Sequence, residues 1–107
     1  MELYTNLFES LLEKPNSLIG EKSITKMFIF LCGYQWCAKT DHSDDPLYSG
    51  FQNWIEARFQ MGISHNWASV ILFLEGGSEY RAFDRLKILW YEYKAEMENL
   101  NTQSDLI

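Results

Sequence analysis

Ile24-Thr25-Lys26-Met27-Phe28-Ile29-Phe30-Leu31-Cys32-Gly33-Tyr34-Gln35-Trp36-Cys37-Ala38 is the stretch on which the fold turns. From residue 27 to residue 38 almost every position is apolar or aromatic. A surface helix carries one apolar stripe, so a segment apolar on all sides is expected to be buried on all sides. The run is too short to span a bilayer, which takes about 18–20 apolar residues. It therefore reads as the central element of a globular core, wrapped by the rest of the chain. Ser23 is placed to cap it as a helix. Gly33 speaks against a helix, costing about 1 kcal/mol relative to alanine in a helix interior, unless it lets a neighbouring helix approach closely. A short buried strand over 27–31, ended by Gly33, is the alternative, because periodicity does not separate the two for a short apolar run. Continuation of the run through Tyr34, Trp36 and Ala38 favours the helix.

On the N-terminal side, Leu3, Leu7 and Leu11, with Tyr4, Phe8 and Leu12, fall on one face of a helix over 2–13. Pro15 stops it, and 15–22 reads as a turn-rich connection. On the C-terminal side, Thr40-Asp41-His42-Ser43-Asp44-Asp45 forms a polar, acidic loop. Asp45 and Pro46 read as N-cap and first residue of a helix over 46–60. Leu47, Phe51, Trp54, Ile55 and Phe59 line one side of that helix, and Gly62 stops it. Ser64 caps a fourth helix over 65–75, although 70–74 has strand character as well. Gly76-Gly77 breaks this element. Ser78 caps the last and longest helix, over 79–100, with Phe83, Leu86, Leu89, Trp90, Tyr93 and Met97 on its inner face. Asp84 with Lys87, and Lys94 with Glu98, are spaced as ion pairs along it; 101–107 reads as a frayed tail. The expected architecture is a single all-α domain, a compact bundle of about five helices. An α+β domain with short strands near 27–31 and 70–74 is the alternative.

The 107 residues carry a net charge of −6 and are 16% aromatic. A nucleic-acid binder needs a basic footprint, and an anionic membrane attracts basic proteins, so both partners are set aside. An acidic surface suits solubility or a basic partner. The aromatic content is heavy for so small a core, which leaves rings for binding. Met1-Glu2-Leu3-Tyr4-Thr5-Asn6 has no basic segment followed by an apolar run, so a cytoplasmic location is expected. Cys32 and Cys37 point to different sides of a helix and read as small buried hydrophobes in a reducing compartment.

Catalytic constellations are scarce. His42 and His65 belong to no metal-spaced pair, and the acidic loop lacks the glycine and closing glutamate of a calcium loop. Gly76-Gly77-Ser78 reads as a helix connection rather than a phosphate cradle, since no Gly-x-x-x-x-Gly-Lys accompanies it. Glu92 and Glu96, one turn apart, read as a solvated face or a contact for a basic partner. No catalytic residue, metal ligand or cofactor is assigned. Most helix-stripe aromatics read as core. Tyr48, Trp67 and Tyr80, near a loop or helix starts, are candidates for half-wet anchors.

Gly33-Tyr34, Tyr48-x-x-Phe51-x-x-Trp54-Ile55 with Phe59, Trp67-x-x-x-Ile71, and Glu79-x-x-Ala82-Phe83-x-x-Leu86-x-x-Leu89 with Tyr91 and Tyr93 together form a pattern. It resembles that of immunity proteins of contact-dependent inhibition and related polymorphic toxin systems of bacteria, over about 28–94. The resemblance implies a small cytoplasmic protein, not an enzyme, that binds a cognate toxin domain, commonly a nuclease or another enzyme with a basic substrate site, and occludes it. It carries over no contact residues. From the residues themselves the candidate contacts are Asp41, Asp44, Asp45 and Tyr48, with Trp67 as an anchor and Glu75 and Glu79 as a second patch. A helical adaptor or regulatory module, monomeric or weakly homodimeric, is the alternative; an enzyme would need a deep pocket of converging polar groups.

Overall fold

The computed structural model describes residues 3–38, 45–60 and 65–105, with side chains as far as residue 100. Six helices follow one another in these segments: α1 Leu3–Glu13, α2 Pro15–Leu18, α3 Ile24–Ala38, α4 Pro46–Phe59, α5 Trp67–Leu74 and α6 Glu79–Asp105. No described residue lies in a strand, so 27–31 and 70–74 are both helical and the chain is an all-α bundle.

The helix starts are where the sequence acts most directly. Ser23 caps α3, its hydroxyl accepting the Lys26 amide at 3.1 Å, as its position suggests. Pro46 opens α4 with Asp45 as N-cap, the carboxylate accepting the Tyr48 amide at 3.2 Å. The same carboxylate accepts the Thr5 amide at 2.6 Å and the Thr5 hydroxyl at 2.7 Å, and so serves the first turn of α1 as well. Glu79 plays the matching part elsewhere. It is the first residue of α6 and also accepts the Thr25 amide at the start of α3, at 3.0 Å. The Ser23 and Thr25 hydroxyls complete its shell at 3.0 and 2.5 Å. Each carboxylate thus meets the orphan amides and positive dipole ends of helix N-termini.

Some caps differ from expectation. Asn66, not Ser64, caps α5, accepting the Ser69 amide at 2.8 Å. Gln60 takes the left-handed conformation after α4, with φ 54°. Ser64 and Gly62 both lie outside the described residues. The connection after Pro15 holds one turn of helix, with Pro15 at its first position, where a missing amide costs nothing. Gly76 and Gly77, at φ 65° and 84°, make the turn between α5 and α6.

Phe8 of α1 is the centre of the core. Its ring lies 4.3 Å from Trp90, 5.4 Å from Trp67 and 5.9 Å from Phe51, centroid to centroid. α6 packs on α3, α4 and α5, burying Ala82, Phe83, Leu86, Leu89, Trp90 and Tyr93. Polar ends of the rings are satisfied: the Trp90 indole donates to Glu9 at 2.8 Å, and the Tyr93 hydroxyl to the Leu47 carbonyl at 2.5 Å. Tyr93 reaches that carbonyl across Gly50, where a Cβ would lie 2.6 Å from its oxygen.

Three expectations are corrected. α3 is not wrapped: only Ile24, Met27 and Leu31 of it are buried, and Cys32 and Cys37 are exposed. The spine is instead α6, which at about 1.5 Å per residue runs most of the 45 Å length of the molecule. A segment apolar all round gives no sign of which side is covered, and a domain this small has too little chain to cover every side. The ion pairs expected along α6 run between elements instead: Asp84 with Lys22 at 2.6 Å, Lys87 with Glu13 at 3.2 Å and Lys94 with Glu9 at 2.8 Å. The flank of α6 faces α1 and the segment before α3, so these partners lie closer than the next turn. The last helix, finally, extends to Asp105, beyond the 79–100 expected.

Replacing Asp45 by alanine strands the Thr5 and Tyr48 amides, and urea denaturation is expected to show a loss of about 2–4 kcal/mol. Gly50→Ala improves helix propensity yet is expected to destabilise by about 1–3 kcal/mol by the same measurement, because Tyr93 is held between Phe51, Trp54 and Trp90 and cannot yield. For Glu79, burial raises the carboxyl pKa, but hydrogen bonds from Thr25, Ser23 and Ile24 outweigh it and hold the pKa below its ordinary value of 4.5. A depressed folded pKa gives stability that is present above the unfolded value and lost as pH falls through the folded one. Melting temperatures between neutral and acid pH should therefore fall more steeply below 4.5 in the wild type than in Glu79→Gln, which starts lower at neutral pH.

Candidate functional site

The residues singled out as contacts divide into three groups. Asp41 and Asp44 lie outside the described residues. Asp45 and Trp67 are buried, at 1% and 4% exposure, so neither is presented to a partner from this conformation. A carboxylate that caps two helices is turned inward, and Trp67 sits between Phe8, Phe28 and Phe51. Tyr48, Glu75 and Glu79 are half-buried and engaged. Tyr48 stacks on Tyr4 with centroids 5.5 Å apart, and burial pushes its phenol pKa upward. Glu75 accepts Arg85 at 3.2 Å, with Arg81 at 4.0 Å. Glu79 holds the start of α3. The two glutamates do not form one open acidic patch. Tyr80 is the one anchor candidate that stands out in solvent, with Lys22 over its ring at 4.2 Å.

Two other surfaces have the composition of contact sites. One is the seam between α4 and α6. Trp54 lies half-buried there and donates its indole N–H to Glu96 at 3.3 Å. Arg58, one turn on, lies 5.2 Å over the Trp54 ring and pairs with Glu92 at 2.7 Å. Helical spacing puts Trp54 and Arg58 in one row and Glu92 and Glu96 in the other, four residues apart in each. Tryptophan and arginine are the types that dominate binding hot spots. The position of Glu92 and Glu96 on one face was legible in the sequence; their pairing with Trp54 and Arg58 was not, because Trp54 read as core.

The other surface is the outer face of α3. Ile29 is 62% exposed, Phe30 37% and Trp36 83%, and all three lie on one side of the helix with Gly33 between them. Over the fifteen residues of α3 and the eight of α5 the only charged side chain is Lys26, which pairs with Glu21 at 3.3 Å. Phe73 of α5 is exposed as well. On the other flank of α3, facing α4, lies a cleft of about 200 Å³ lined by Phe28, Leu31, Cys32, Gln35, Gln52 and Trp67. It is large enough for a single side chain. Gln52 is fully engaged, accepting the Trp67 amide at 2.6 Å and donating to the His65 carbonyl at 3.0 Å.

Between α1 and α6 stand two polar clusters, Lys87 and Tyr91 on Glu13 and Lys94 and Trp90 on Glu9. The Tyr91 hydroxyl donates to Glu13 at 3.1 Å; burial first, then this bond, pushes its pKa up to about 12. Among the described residues no group of three or more His, Cys, Asp or Glu side chains could hold a metal ion, and no described helix is long and apolar enough to cross a membrane.

Set against family models, curated proteins and solved structures, the chain matches none.

Proposed function

We propose that this protein works by binding another protein and covering its surface, as an immunity protein that neutralises a cognate secreted toxin domain, a nuclease, in the cytoplasm. The observation that carries this reading is the α4–α6 seam, where Trp54 and Arg58 stand beside the Glu92 and Glu96 carboxylates. The net charge of −6 and the resemblance of the aromatic pattern support it. A basic toxin surface is drawn to an acidic partner by long-range attraction, which raises the association rate. On contact, a lysine or arginine of the toxin competes with Arg58 for Glu92, and Trp54 completes its burial against the partner. Occlusion needs no reacting group on this chain, only a face that fits. The alternative, a helical adaptor, draws on the apolar outer face of α3.

The test is co-expression with the product of the adjacent gene, followed by titration of the purified pair. A one-to-one complex is expected. Glu92→Lys with Glu96→Lys should weaken it by about 10–100-fold at low salt, with the difference narrowing as salt rises. Trp54→Ala should weaken it about tenfold or more at all salt concentrations. A complex indifferent to all three substitutions would remove the seam from the account, and a neighbouring gene with no toxin domain would remove the function.

A further inference from the structure

We infer that the outer face of α3 is a self-association surface, on which a second copy of this chain packs as an antiparallel two-fold helix pair crossing at Gly33. This goes beyond the proposed function and rests on a different surface.

Three observations point to a second copy rather than another occupant. The first is spacing. Ile29 and Phe30 stand four and three residues before Gly33, and Trp36 and Cys37 three and four residues after it. A two-fold axis through Gly33 sets Ile29 and Phe30 of one copy against Trp36 and Cys37 of the other, so the face is complementary to itself, as an isologous interface requires. The second is Gly33. A Cβ there meets nothing within 4 Å among the described residues, so none of them uses the missing side chain, in contrast to Gly50. Its absence at the middle of a bulky apolar row lets a second backbone approach to about 8 Å, the short end of helix packing distances. The third is charge. Two copies, each at −6, repel through their acidic sides, but α3 contains no carboxylate and its one lysine is already paired. A basic partner finds nothing to select on this face; a copy of the same face meets no like charge.

The area sets the strength. Ile29, Phe30 and Trp36 together expose on the order of 400 Å². Pairing two such faces therefore buries on the order of 800 Å², below the roughly 1,200–2,000 Å² of a stable complex. The dimer is weak and its population follows concentration.

Sedimentation of the full chain over roughly two decades of concentration tests this, with Gly33→Leu and Trp36→Glu alongside. A reversible monomer–dimer equilibrium is expected, with the dissociation constant raised at least about tenfold by either variant. Gly33→Leu projects into open space and replaces a poor helix former by a good one, so the monomer should keep its circular dichroism spectrum and melt no earlier; it decides the matter even if Trp36→Glu disturbs the fold. A wild-type chain that stays monomeric throughout overturns the inference, as does a dimer that both variants leave intact. A monomer that nevertheless binds a toxin domain would refute this self-association and leave the proposed function standing.

Discussion

The fold depends on two carboxylates, each shared by the beginnings of two helices. Asp45 caps α4 and holds Thr5 in the first turn of α1. Glu79 begins α6 and holds Thr25 at the first turn of α3. A helix start leaves amides without partners and a partial positive charge, so one anion between two starts satisfies both and fixes their relative position. Asp45 is buried, which is tolerable because its oxygens accept three hydrogen bonds from these two elements. α1 is thereby tied to α4, and α3 to α6, across 40 and 54 residues of sequence. The aromatic cluster around Phe8 then fills the space between elements whose ends are already placed.

These inner roles explain why the acidic character of the chain does not map simply onto an acidic binding site. Asp45 faces inward, Glu79 is taken up by the start of α3, and Glu9, Glu13, Glu75 and Asp84 each meet a lysine or arginine. Exposed pairs of this kind add little stability individually, but they consume the local cations and carboxylates together. What remains for a partner is sorted by side of the molecule. Trp54, Arg58, Glu92 and Glu96 stand together on the α4–α6 seam, and α3 and α5 present an apolar surface with a single charge. A contiguous hydrophobic face of this kind is unusual on the outside of a small domain unless something covers it.

Helix identity and most helix ends were legible in the sequence because they rest on local chemistry: Ser23, Asp45-Pro46 and Gly76-Gly77 act within a few residues of themselves. The 24–38 helix was legible too, but not its position in the bundle. A strongly amphipathic segment announces which side is buried, as α1 does through Phe8, Leu11 and Leu12; a segment apolar all round does not. The candidate site was read less well for a related reason. Asp45 reads both as a cap and as a contact, and the long-range bond to Thr5 that turns its carboxylate inward leaves no mark in the local sequence. Trp67 beside a helix start looked half-wet, yet α1 and α3 close over it. Partnerships such as Lys87 with Glu13, across 74 residues, leave no trace in spacing along the chain.

Tyr93 gripping the Leu47 carbonyl through the gap left at Gly50 has a consequence for recognition. A ring lodged in a notch opposes both sliding and rolling of α4 against α6, so the row carrying Trp54 and the row carrying Glu92 keep one alignment. Under the proposed function, a partner at that seam would meet a finished relief rather than two parts that must first be brought into step, with little backbone freedom left to surrender on docking. On that reading, encounter there would be set by how fast the partner arrives, not by how long the seam takes to assemble.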